Sequence, residues 1–190
     1  MTENLLLTIL TAALCENFVL AHLLGTEAAL NGEEKPGRTL LRGLVTTVCM
    51  IAASLIAFAA DKAIFAKSGM EYLSALVFAV ILAVSELAAE PLTAKIFNIY
   101  MQTPSGTRIF LNSAVFAMVL QAADCTDWHQ AVLFGLVSGI GFTLAALLVS
   151  CIRERLETAD VPESFRNLPI LILAAGLCAM IFTGFAGLSF

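Results

Sequence analysis

The chain has 190 residues, of which 59% are hydrophobic and 13% charged, with a formal net charge of −5 and a mean hydropathy of +0.92. A soluble domain carries roughly 45–50% apolar and about 25% charged residues, so this composition excludes a water-soluble enzyme, and no basic patch suited to nucleic acid is present. It describes an all-α integral membrane protein, one compact bundle over residues 1–190 with no soluble domain.

Six apolar segments separated by polar connections run along the chain. The first is about Leu5 to Gly25. It has no basic leader and is too long for the apolar core of a cleavable signal. It is broken by Glu16-Asn17. The second is about Leu40 to Ala60, and the third about Met70 to Ala89, with Glu90-Pro91 expected to end it. The fourth, about Ile109 to Ala122, is too short to cross as one straight helix, since a crossing of ~30 Å takes ~20 residues. The fifth is about Gln130 to Cys151 and the sixth about Leu168 to Leu188. None alternates with period two, which excludes strands as the main element.

Basic residues set the orientation. The odd connections hold Lys35, Arg38, Arg42, Lys95, Arg108, Arg153, Arg155 and Arg166, against Lys62 and Lys67 on the other side. The odd connections are therefore expected in the cytoplasm, with both termini outside.

An internal repeat accompanies this topology. Leu41-Arg42-Gly43-Leu44-Val45 returns as Leu133-Phe134-Gly135-Leu136-Val137, which places Asn17 and Asn112 in the first segments of two halves, about 1–92 and 93–190. Each half has three segments, so the halves are expected upside down relative to each other. Interrupted helices of such inverted repeats meet near the midplane and build the site.

The polar residues inside apolar segments are the candidates for chemistry. Asn17 and Asn112 can satisfy backbone groups freed at a helix break beside a site, or simply bond across to a neighbouring helix. Glu16 and Glu86 are acids at membrane depth, candidates for an ion or proton path. Glu90, one turn after Glu86, reads as an acid near a helix end. His22 has only His129 as a fellow histidine and reads as a packed or interfacial residue. Asp124, Asp127, Trp128 and His129 form an outward turn, where Trp128 suits the aromatic belt. Of the cysteines Cys15, Cys49, Cys125, Cys151 and Cys178, none forms a Cys-x-x-Cys pair or zinc spacing, and Cys49 and Cys178 read as small apolar packers. No phosphate loop and no nucleophile elbow appears, and no catalytic residue is expected. The connection after the fifth segment reads as the charged end of a helix followed by a Pro-terminated loop. It is either a solvated face or a docking surface for a cytoplasmic partner.

Three stretches carry a resemblance to a known family. They are Glu16-Asn17-Phe18-Val19-Leu20 followed by Leu24-Gly25, the charged run from Ile152 through Val161-Pro162-Glu163 to Arg166, and the ending from Ala174-Ala175-Gly176-Leu177 to Gly184-Phe185-Ala186-Gly187-Leu188. They resemble the RnfA/NqrE family of membrane proteins over the whole chain, most specifically in the charged run. The resemblance implies a subunit of an Rnf-type complex in the bacterial inner membrane, passing electrons between ferredoxin and NAD and coupling this to Na⁺ or H⁺ movement. It implies a homologous, RnfE-like partner, other Rnf-type subunits, and a [2Fe–2S] cluster shared by the two homologues through two cysteines from each. The family's cysteine positions are occupied here by Glu27 and Ser113. Cluster iron takes thiolate, or occasionally imidazole, so no cluster is expected in this chain alone. Glu27 and Ser113 are expected to converge with Asn17 and Asn112 between the halves. Two other functions stay in view: a divergent non-redox relative acting as a small transporter or assembly subunit, and a purely structural anchor, against which the paired polar breaks speak.

Overall fold

The computed structural model describes residues 24–25, 36–65, 73–100 and 112–185, and no strand occurs among them. Five helices follow in order: α1 (Pro36–Ala60), α2 (Ser74–Tyr100), α3 (Ser113–Ala123), α4 (Trp128–Glu157) and α5 (Leu168–Phe185). A π-helical turn, Asp61–Phe65, extends α1, and a 3-10 turn, Glu163–Phe165, precedes α5. The first apolar segment lies outside the described residues except for Leu24-Gly25. There the chain turns, with Gly25 at φ 74, a conformation that glycine adopts without a Cβ clash.

Among the described residues, two helices are long and apolar enough to cross a bilayer: 28 residues over Pro36–Ala63 and 30 over Trp128–Glu157. The shorter apolar helices are Ser74–Ala88, Ser113–Ala123 and Leu168–Gly184.

The side chains of α1 are sorted opposite to those of a soluble helix. Gly43, Thr46, Met50, Ala53 and Ala57, at alternating spacings of three and four, are buried, as is Ser54. The large aliphatics Leu40, Leu44 and Val48 are 44, 55 and 66% exposed. Small and hydroxyl residues inside with bulky apolar ones outside is the arrangement expected where lipid, not water, surrounds the helix. In α2 the buried stripe is Phe78, Leu82 and Glu86, while Leu76, Val80, Val84 and Leu87 point outward.

The expected end of the third segment at Glu90-Pro91 is corrected. The helix runs through Pro91 to Tyr100, although the apolar stretch does stop at Ala88. An interior proline removes one donor and crowds the carbonyl four residues back, at about 3 kcal/mol. Helices of membrane proteins tolerate this where neighbouring groups satisfy the freed carbonyl. Apolar length and helical length therefore differ in α2. The other boundaries lie close to expectation: α4 carries its charged end to Glu157, and the loop through Pro162 follows.

The described residues divide into two compact units, one with 36–47 and 137–185, the other with 48–65, 73–100 and 112–136. In the first, α1 and α4 run antiparallel, because Thr39 bonds Ser150 at 3.1 Å and Thr47 meets Thr143 at 3.2 Å between hydroxyl oxygens. The approach is so close that a Cβ on Gly43 would overlap the Thr143 side chain, and one on Gly139 would lie 2.7 Å from the Cα of Thr47. Further along, Ala146, Val149 and Leu171 form a small core with Ile152 and Leu156 packed on it. In the second unit, α2 packs on α3, and a Cβ on Gly135 would lie 3.0 Å from the Cα of Ile51. Glycine is required at these crossings because backbone meets backbone there.

Candidate functional site

The second unit holds the buried acid. Glu86 is 8% exposed and continues the stripe of Phe78 (1%) and Leu82 (5%) along α2. Cys49 on α1 lies in the same unit. The adjacent turns of α1 place Met50 and Ser54, both fully buried, within the same unit. The neighbouring Ser85 turns its hydroxyl to its own helix, donating to the Leu82 carbonyl at 2.8 Å. A carboxylate enclosed by apolar side chains loses hydration, which is costly unless protons, cations or hydrogen-bond donors compensate it.

The second feature is the start of α3. Asn112 has an extended backbone (φ −102, ψ 134), and its Oδ1 accepts from the Ala114 N–H at 3.1 Å. Its carbonyl also accepts from Phe116 N–H at 3.0 Å. The expectation that this asparagine serves backbone groups at a helix break is realised here as an N-cap. The helix has 11 residues, so at 1.5 Å per residue it is ~16 Å long, about half of the ~30 Å hydrocarbon thickness. The fourth segment is thus short, as its sequence indicates.

Ser113, where the resemblance implies a cysteine, is the first residue of α3 and exposed. It offers a hydroxyl oxygen, whereas cluster iron takes sulfur. Asn112 adds an amide already engaged in capping. No group of three or more His, Cys, Asp and Glu placed to hold a metal ion occurs among the described residues. The described residues at this position do not fit an iron–sulfur cluster. Glu16, Asn17, His22 and Glu27, with Cys15, lie outside the described residues.

On the other side of α3 the chain makes the expected polar turn. Asp124 and Cys125 close α3 by donating to the carbonyls of Gln121 and Ala122, both at 3.3 Å. The Gln130 side chain accepts from the Thr126 N–H at 3.2 Å, holding the entry to α4. Trp128 is 55% exposed, with its ring against that of His129 at 3.4 Å between centroids. Burial raises the Cys125 thiol above its ordinary pKa, and Asp124 adds to the shift.

The oxygen-rich seam of α1 and α4 is not among the features expected from the sequence. Thr46, Ser138, Thr143 and Ser150 are all buried. A signal for it exists in Gly135, Gly139 and Thr143 at intervals of four on α4, and Thr39, Gly43 and Thr47 at the same interval on α1. Small residues four apart mark a face for close helix contact in a membrane.

These features define an all-helical membrane protein whose helices pack through small residues and enclose a carboxylate. The profile of a family described as Rnf-Nqr subunit, membrane protein, matches residues 5–189. The chain belongs to this family. It is 34% identical to the A subunit of an ion-translocating oxidoreductase complex from Edwardsiella ictaluri, over 99% of this chain and 98% of that one. It is similar to the corresponding A subunits of Syntrophotalea carbinolica (33% identity, 98% of each chain) and Hahella chejuensis (32%, 99% and 98%). The resemblance read from the charged run and the two ends is thereby borne out.

Proposed function

We propose that this chain is the A-type membrane subunit of an Rnf-type complex in a bacterial inner membrane, coupling electron transfer between ferredoxin and NAD to movement of Na⁺ or H⁺. The end-to-end similarity to A subunits of ion-translocating oxidoreductase complexes carries this reading. Its partners are a homologous RnfE-like protein and the remaining subunits of such a complex.

The architecture belonging to this function is six crossings in two inverted halves, with both termini outside. The repeat supports it through its contacts. The offset that carries Gly43 to Gly135 also carries Ile51 to Thr143 and Thr47 to Gly139. Under that offset the Gly43–Thr143 contact becomes the Gly135–Ile51 contact, and the Thr47–Gly139 contact becomes itself. An exchange of this kind is expected of an inverted repeat.

Within this architecture Glu86 is the group of the described residues that takes up and releases the ion or proton; Glu16, Asn17 and Asn112 are the further candidates for an ion path that the sequence offers. The chain alone holds no [2Fe–2S] cluster, so any electron crossing here uses a cluster held by the partner subunit or some other carrier. A second reading, a non-redox relative acting as a transporter or assembly subunit, is favoured by Glu27 and Ser113 at the family's cysteine positions.

The test is turnover and ion uptake in inverted membrane vesicles from a deletion strain carrying the wild-type chain or Glu86→Gln. Ferredoxin-dependent NAD reduction that returns with the wild-type chain supports the first reading. With Glu86→Gln, ion uptake is expected to fall at least about tenfold per electron transferred, because the path loses its ionisable group. Unchanged electron transfer in the deletion strain overturns the redox reading, and unchanged coupling in the variant removes Glu86 from the path.

A further inference from the structure

A partly enclosed cavity of about 810 Å³ lies within the first unit, where the charged end of α4 meets the start of α5. Its charged lining is Arg153 and Glu157 from α4 and Arg166 from the turn before α5, and its apolar lining includes Leu156, Val161 and Leu168. Arg153 is half-buried with its Nη1 enclosed by protein. The backbone reverses at Asn167, at φ 69, and the first turn of α5 opens onto the cavity with the Leu171 N–H bonded back to the Asn167 carbonyl at 3.4 Å. Just beyond, Leu168, Ile172 and Leu173 are 48, 52 and 48% exposed. The cavity thus stands where charged surface gives way to bare apolar surface, the level of lipid headgroups in a membrane protein.

We propose that this cavity binds the headgroup of an aminophospholipid, a phosphate diester carrying a primary ammonium, with an acyl chain running down the exposed face of α5. Arginine matches phosphate oxygens through paired N–H donors, and a helix start adds further positive potential. The phosphate is assigned to Arg153 and Arg166. Glu157 then receives the ammonium. Residues four apart on a helix stand ~6 Å apart, a separation that the two-carbon spacer between phosphate and amine can follow.

The balance of charge decides against a purely anionic lipid. Glu154, Asp160 and Glu163, against Arg155 alone, lie in the same stretch without lining the cavity, so a headgroup with net negative charge meets a surround with more acids than bases. A headgroup with its own cation does not. A trimethylated choline headgroup has the phosphate but no N–H to give Glu157.

The probe is native mass spectrometry of the full chain exchanged from detergent into defined phosphatidylethanolamine, phosphatidylglycerol or phosphatidylcholine. One phosphatidylethanolamine per chain is expected to persist, bound at least about fivefold more tightly than either alternative. Arg153→Gln and Arg166→Gln are each expected to weaken it about fivefold, in line with roughly 1 kcal/mol per basic residue near lipid headgroups. Glu157→Gln, at an exposed position, is expected to abolish the preference over phosphatidylglycerol while leaving phosphate-dependent binding. Equal retention of all three lipids, or loss of none of them in the arginine variants, overturns the proposal. So does Glu157→Gln keeping the preference, or displacement of the lipid by a cytoplasmic subunit in the assembled complex, which would make the cavity a protein docking site.

Discussion

The part of α4 from residue 137 onward and helix α5 are neighbours in one unit, both apolar, yet they are held in opposite ways. Along α4, Ser138, Gly139, Phe142, Thr143, Ala145, Ala146 and Val149 are buried, and the seam with α1 is closed by hydroxyls and glycine. Along α5, Leu171 is the buried residue at 4%, while Leu177, Met180 and Ile181 are 54, 72 and 62% exposed. In water the second helix would be a liability, since large bare apolar patches drive association. In lipid the contrast is one of packing. Small residues let α4 approach its neighbour through van der Waals contact and hydrogen bonds, and α5, with its Leu and Ile outward, remains in contact with acyl chains. Hydropathy marks both helices as apolar, and the position of the small residues separates them.

The sharpest way to break the comparison is to enlarge a seam glycine. Gly139→Leu puts a branched side chain where even a Cβ would meet the Thr47 backbone, and it is expected to abolish a folded, monodisperse protein in detergent. Gly139→Ala should cost about 1–3 kcal/mol by overpacking, read as a lower midpoint in thermal or denaturant unfolding. A variant as stable as the wild type would mean that the seam is looser than the described contacts.

A smaller effect is expected from Thr47→Val. This removes the 3.2 Å contact to Thr143 and the 2.8 Å bond to the Gly43 carbonyl while keeping shape. Hydrogen bonds between helices in membranes are worth about 0.6 kcal/mol on average, so the shift should be well below that of Gly139→Ala. On α5, Met180→Ala should change the stability of the isolated chain by no more than about 0.5 kcal/mol, as for exposed sites in general. If the same change weakens assembly with other subunits, then protein and not lipid covers that face.

The smallest effect concerns the α3–α4 turn, the polar counterpart of both helices. The Cys125 thiol is held above its ordinary pKa by burial and by Asp124. A raised pKa means less thiolate at a given pH, so its alkylation by a charged maleimide should follow pH with a midpoint displaced upward. Asp124→Asn removes the second cause and should move that midpoint down. Reaction from outside intact cells would also place this turn on the outer face, where the distribution of basic residues leads one to expect it. Reaction from the cytoplasmic side alone would invert the topology.

Much of the fold is legible in the sequence, for physical reasons. Helical class, the short fourth segment and the charged end of α4 follow from hydropathy and length, which bilayer thickness fixes. The cap at Asn112 is legible as a polar residue where the apolar run begins, because an N-terminal helix turn needs an acceptor. Pro91 misleads, since a rule about isolated helices underrates what tertiary neighbours can satisfy. The glycine and threonine seam is harder to read, because charged and amide groups stand out in an apolar run whereas close packing is written in the smallest side chains. Glu86 stands out as an acid inside such a run, but only the structure places it on the same stripe as Phe78 and Leu82.

The hydroxyls inside the helices have a consequence for how the protein is made. Thr46 donates to the Arg42 carbonyl, Thr47 to that of Gly43, Thr143 to that of Gly139 and Thr183 to that of Ala179, while Ser54 and Ser85 reach back three residues in the same way. Each bond closes within a single helix, so it can form before any other helix is present. A segment leaving the translocation channel then enters lipid with these hydroxyls already satisfied, and the toll of bare polar groups in hydrocarbon is avoided during synthesis. Segments can be inserted singly and associate afterwards, when Thr39 finds Ser150 and Thr47 finds Thr143. A carboxyl group at hydrocarbon depth is costlier to insert than a hydroxyl, so α2, which carries the buried Glu86, is the segment whose insertion should depend most on the helices that arrive beside it.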